Sequence, residues 1–144
     1  MKLESIMELW QQDCEINNME LGDEAIKIAK LHSKYYQIYI NEKLVLKKYE
    51  VELKQLKLEK YEFYTQGPTE EQFEKGWELP ASGKVLRTDA NNYVDADQDV
   101  VNLILKYSVQ KEKVDFLDSI IKSLVNRGFN IKAAIDFERF RSGV

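Results

Sequence analysis

Apolar positions recur at helical spacing along two long stretches of the chain. Leu46, Tyr49, Leu53 and Leu56 are separated by 3, 4 and 3 residues, and the next two steps fall on Lys60 and Phe63, a heptad-like stripe that predicts one face of a helix. No Pro or Gly interrupts the run from Asp23 to Gln66. Asp23 can cap a helix there, and Glu24 suits its positive N-terminal end. The simplest reading is one helix of about 40 residues, about 60 Å long at 1.5 Å per residue, which is longer than a small domain is wide. Part of its apolar face then needs a partner. Tyr35, Tyr36 and Tyr39 lower helix propensity locally and mark where a break would fall.

Gln66-Gly67-Pro68 ends this run, and Thr69 with Gln72 matches a capping box for one short helix that Gly76 closes. Between Pro80 and Asp97, Gly83, Val85-Leu86, the turn-prone Asp89-Ala90-Asn91-Asn92 and Tyr93-Val94 predict a small β-hairpin. Asp97 or Asp99 opens the second long stretch. Val114, Leu117, Ile121 and Leu124 repeat there at 3, 4 and 3 up to a stop at Gly128, and a last short helix runs from Asn130 to about Arg141. The expected architecture is mostly α, with long helices around a small β-hairpin. A single domain over 1–144 accounts for it, divided into a helical part (1–66), a connecting part (67–97) and C-terminal helices (98–144).

Composition narrows the chemistry. With 44% hydrophobic and 32% charged residues in 144, the chain has too much apolar content for wholesale disorder. It has no stretch approaching the roughly 20 apolar residues that span a bilayer. Cys14 is the lone cysteine, which leaves no internal disulfide and makes the cytoplasm the default expectation. His32 is the one histidine, so neither a histidine zinc cluster nor a histidine triad can be built within one chain. Asp95, Asp97 and Asp99 echo the start of a calcium loop, but Val100 stands where that loop needs Gly and Lys106 where it needs Glu. Pairs such as Glu70-Glu71 read as a solvated face, and no Gly-rich phosphate loop is present. The chain offers no candidate catalytic residue, metal site or cofactor.

The net charge of −4 argues weakly against a nucleic-acid partner, but the average hides a pattern. Residues 1–42 carry 4 basic against 8 acidic side chains, whereas residues 43–60 carry 6 lysines against 3 glutamates. Residues 61–100 turn acidic again, and 120–144 carry 5 basic against 2 acidic. In the segment LKLEKYEFYTQG, Lys54, Lys57 and Lys60 interleave with Tyr61, Phe63 and Tyr64. Lysines neutralise phosphates and aromatic faces stack on unpaired bases, so the mix suits single-stranded nucleic acid. The same spacing also describes aromatics filling a core beside solvated lysines.

Five segments in order, MELWQQDCEIN, EAIKIAKLHSKYY, LKLEKYEFYTQG, GWELPASGKVLRTDANNYVDAD and DFLDSIIKSLVNRGFNIKAAIDFERF, resemble the UvsY family of phage recombination mediators over nearly the whole chain. The resemblance implies a non-catalytic, mostly helical protomer of a ring-like hexamer or heptamer. It also implies single-stranded DNA, a phage single-strand-binding protein and a RecA-like recombinase as partners, in the cytoplasm of an infected bacterium. The family's basic DNA-contact stretch precedes an aromatic pair and a Gly. Counting back from Tyr64 puts Lys60 on its second basic position and Leu58 on the first, with Lys57 one step away. Lys54, Lys57, Lys60, Tyr61 and Tyr64 are therefore the candidate DNA contacts. The family associates its C-terminal region with assembly, which nominates Leu117, Ile121, Leu124, Phe129, Ile135, Phe137 and Phe140. Arg127, Lys132, Arg139 and Arg141 form a candidate auxiliary DNA or partner surface. The competing reading is a helical oligomeric scaffold that recruits proteins without touching DNA.

Overall fold

The computed structural model describes residues 1–143, and five helices account for its regular structure: α1 (Leu3–Asp13), α2 (Leu21–Gln66), α3 (Glu70–Glu74), α4 (Ala90–Ala96) and α5 (Gln98–Arg141). Contacts divide the chain into two compact units. Unit 1 takes residues 1–44 and 111–144, and unit 2 takes residues 45–110. No described helix is long and apolar enough to cross a membrane.

In unit 1, Ile6 of α1, Tyr35 of α2 and Leu117, Ile120 and Leu124 of α5 form a buried core, with Leu9, Trp10, Leu31, Ile38, Tyr39, Phe116 and Ile121 packed around it. Each set repeats at three- and four-residue steps, so each helix contributes one apolar stripe. Tyr35 is fully buried, sets its ring edge-on to Trp10 at 5.4 Å and donates its hydroxyl to Asp13 Oδ2 at 2.7 Å. That packing outweighs the low helix propensity of the tyrosines, and α2 runs through them without a break. Burial alone would raise the Asp13 carboxyl. Hydrogen bonds from Lys34 and Tyr35, with the charges of Lys34 and Arg127, outweigh it and hold the group below its ordinary value.

Two expectations fail at the second helical stretch. Gly128 does not stop the helix, and the separate helix from Asn130 is the continuation of α5. The residues on either side explain this, because Arg127 and Ile131 are 5% and 2% exposed. Anchoring both outweighs the roughly 1 kcal/mol that a helical Gly costs. Arg127 is thereby removed from the candidate auxiliary surface. Its guanidinium donates to the carbonyls of Asp13 and Glu15, both at 2.9 Å, and pairs with Glu24 at 3.3 Å, fixing the α1–α2 connection to α5.

Unit 2 corrects the expected hairpin, since no strand occurs among the described residues. The backbone N–H of Val85 donates to the Tyr64 carbonyl at 2.9 Å, so the last turn of α2 takes the bond a hairpin partner would have made. Asp89-Ala90-Asn91-Asn92 becomes the start of α4 rather than a turn. Ala90 and Val94, four apart, are buried on one face of it. Val94 joins Phe63, Tyr64 and Val100 in the core of this unit, ringed by Leu53, Leu56, Tyr61, Trp77, Leu79, Val85 and Ile104. The expected capping box is present: Gln72 N donates to Thr69 Oγ1 at 3.2 Å and Thr69 N to Gln72 Oε1 at 3.0 Å. Gly67 ends α2 with φ of +95°, a conformation that only Gly adopts without strain.

Replacing Arg127 with Ala leaves two carbonyls without their donor and leaves the buried Glu24 with only its pair to the exposed Lys27. Breaking a buried pair in this way is expected to lower unfolding stability by about 3–5 kcal/mol, read as a drop in the urea midpoint followed by circular dichroism.

Candidate nucleic-acid interface

Helical geometry sorts the lysines of α2 before any partner is considered. Lys47, Glu50, Lys54, Lys57 and Tyr61 follow one another at steps of 3, 4, 3 and 4 and so share one side of the helix. Lys47 and Lys54 are exposed, Lys57 and Tyr61 half-buried. The Lys57 side chain is 43% exposed and its one ion pair, to Asp95, is loose at 3.9 Å. Such a surface pair contributes little and leaves the charge available to an anion.

Lys60 turns inward, although it is only three residues from Lys57. The side chain is 3% exposed, with Nζ 2.8 Å from Asp99 and 3.1 Å from Asp97, and the ammonium sits 3.6 Å from the centre of the Trp77 ring. A buried cation requires such partners, and this one has two carboxylates and an aromatic face. Tyr64 is also buried and donates its hydroxyl to Asp97 Oδ2 at 2.6 Å. The other oxygen of Asp97 accepts the backbone N–H of Asp99 at 2.9 Å and of Val100 at 3.3 Å, an N-cap for α5. One carboxylate thus joins the end of α2 to the start of α5. Burial would raise the Asp97 carboxyl, but hydrogen bonds from Tyr64 and Lys60, the Lys60 charge and the Val100 amide together hold it below its ordinary value. The Tyr64 phenol is pushed up, first by burial and then by its bond to Asp97 and the charges of Asp97 and Asp99.

Of the five candidate contacts, the structure therefore brings Lys54, Lys57 and Tyr61 together and turns Lys60 and Tyr64 into the interior. The sequence held a signal for this, because the apolar stripe of α2 steps from Leu56 onto Lys60 and then Phe63. Tyr107 of α5, which sequence reasoning missed, stands across a groove of about 440 Å³ from Glu50, Leu53, Lys54 and Lys57. It is 57 residues from Glu50, and nothing local in the sequence links the two.

The C-terminal candidates divide as well. Leu117 and Leu124 are fully buried in the core of unit 1 and Ile121 packs against it. Ile135 is half-buried, whereas Phe129, Phe137 and Phe140 are 72%, 60% and 82% exposed. Lys132, Arg139 and Arg141 are exposed, Arg141 pairing with Glu138 at 2.9 Å.

Fold and site together define a helical protein with three lysines, Lys47, Lys54 and Lys57, set along one side of a long helix. Residues 9–144 match the family described as recombination, repair and ssDNA binding protein UvsY, and the chain belongs to the UvsY family. Three crystal forms of the bacteriophage T4 recombination mediator protein UvsY share the fold. Lattice type II gives a TM-score of 0.82 at 22% identity, covering 99% of this chain and 98% of that one. Lattice type I gives 0.81 at 20%, covering 95% and 98%, and lattice type IV gives 0.79 at 22%, covering 98% and 99%. No curated protein matches the sequence.

Replacing Lys60 with Ala strands Asp97 beside Trp77 and is expected to cost about 3 kcal/mol of stability, measured by urea denaturation. Because the folded Asp97 titrates below its ordinary value of 3.8, its contribution is complete above that value and disappears as pH falls through the lower folded value. The acid limb of the stability profile is therefore expected to lie below about pH 4 and to flatten in Asp97→Asn.

Proposed function

We propose that this chain is a recombination mediator. It binds single-stranded DNA along the open lysine side of α2, assembles as a hexameric or heptameric ring, and promotes loading of a RecA-like recombinase onto DNA covered by a single-strand-binding protein in the infected bacterial cytoplasm. The observation that carries the reading is that a UvsY-family chain of net charge −4 keeps Lys47, Lys54 and Lys57 open on one side of one helix while the neighbouring Lys60 is consumed internally. Repetition around a ring multiplies modest contacts, which offsets the acidic balance of a single protomer. The exposed Phe129, Phe137 and Phe140 form an aromatic stripe near the end of α5 that suits burial against another copy. The loading role is supported by the shared fold of the T4 protein, itself a recombination mediator.

The test is a double substitution, Lys54→Ala with Lys57→Ala. Both sites are open, and Ala keeps the helix. Losing two phosphate contacts is expected to weaken oligo-dT binding about tenfold at moderate salt and to make the slope of log affinity against log salt shallower by about 1.4. Unchanged affinity in a folded particle would favour the protein-recruiting scaffold instead. Phe137→Ser with Phe140→Ser is expected to shift sedimentation of the pure protein toward the 16.9 kDa protomer. Loading itself is read as the lag before recombinase ATP hydrolysis on single strands coated with the binding protein, which the wild-type chain shortens.

A further inference from the structure

The groove between α2 and α5 in unit 2 has two chemically different ends. Its α2 wall presents Glu50, Leu53, Lys54 and Lys57, and its α5 wall presents Tyr107. Positions 50 and 57 lie about 10 Å apart along the helix, with the carboxylate at one end and the second ammonium at the other. Tyr107 is tied to the carboxylate end, since its hydroxyl donates to Glu50 Oε1 at 3.3 Å. The volume of about 440 Å³ falls within the range of about 300–1,000 Å³ typical of small-molecule clefts. Glu50 repels a phosphate, while Lys54 and Lys57 attract one. The half-buried Tyr107 ring and Leu53 offer an aromatic wall and an apolar floor where no phosphate is welcome.

We propose that this groove seats one nucleotide of a single strand, its base stacked on Tyr107 over Leu53 and its phosphate on Lys54 and Lys57. The proposal rests on the reading that the chain binds single-stranded DNA through α2, and it adds the residue that makes the contact selective for unpaired bases. A paired base keeps its faces covered by its neighbours in the stack, so Tyr107 has no ring face to meet in duplex DNA.

Oligo-dT binding by Tyr107→Ala and Tyr107→Phe, with helical content and particle mass checked for each, tests the assignment. The Ala variant is expected to bind about tenfold more weakly with the wild-type salt slope, because no charge is lost. The Phe variant keeps the ring and is expected to stay within about twofold of wild type. Ala binding as tightly as wild type overturns the proposal, and so does Phe falling as far as Ala, which would assign the effect to the hydroxyl. A shallower salt slope in Tyr107→Ala also overturns it. Should the Lys54→Ala, Lys57→Ala protein bind normally, the functional reading fails first. Should that protein weaken while Tyr107→Ala does not, only the stacking assignment fails.

Discussion

Lys60 is a buried cation, and unit 2 is organised around the need to neutralise it. An ammonium at 3% exposure is tolerable only with carboxylates in contact, and Asp97 and Asp99 reach it because α5 starts where it does. Asp97 in turn can spare one oxygen for Lys60 and Tyr64 because its other oxygen caps α5. Trp77 closes over the ammonium from the connection after α3, with Phe63 edge-on to that indole at 5.4 Å. Removing Asp97 leaves the Tyr64 hydroxyl without its acceptor, and removing Lys60 leaves Asp99 without its cation. The network therefore sets where α2 and α5 meet within this unit, and with it the width of the groove between Leu53 and Tyr107.

The same helix thus separates two uses of one residue type. Lysines on the apolar stripe hold the fold, and lysines rotated off it stay open. A net acidic protein can present a usable cationic row on such terms, because the row is local and the acidic residues of 61–100 are partly spent on Lys60. Asp97 and Asp99 are the clearest examples, as both pair with Lys60 within the protomer. Unit 1 solves a parallel problem with Arg127, whose guanidinium satisfies two carbonyls and Glu24 at the turn between α1 and α2.

Features set by near neighbours were legible in the sequence. Uninterrupted helical spacing yields α2, the Thr69–Gln72 pair yields the cap of α3, and of the two positions read as opening α5, Asp97 and Asp99, the first is the one that precedes it. Features set by distant partners were not. Residues 89–94 read as turn and strand because their turn propensity is strong, and only the apolar surface offered by Phe63 and Tyr64 makes Ala90 and Val94 a helical face. Gly128 reads as a stop until Arg127 and Ile131 are seen to be anchored on either side. The UvsY resemblance was legible across the chain, yet alignment by the aromatic pair favoured Lys60 because alignment compares residue types and not exposure. Tyr107 lay out of reach for the same reason, since only folding brings it to Lys54 and Lys57.

The proposed path of single-stranded DNA runs against the open side of α2 and the facing side of α5, and not along the basic C-terminal end. Photocrosslinking of an iodouracil-substituted oligonucleotide to the native protein, followed by peptide mass mapping, reads that placement without altering a residue. Adducts are expected on Tyr107 and Tyr61, in two separate peptides of the map. Adducts confined to Phe129, Phe137 and Phe140, beside Lys132, Arg139 and Arg141, would contradict it.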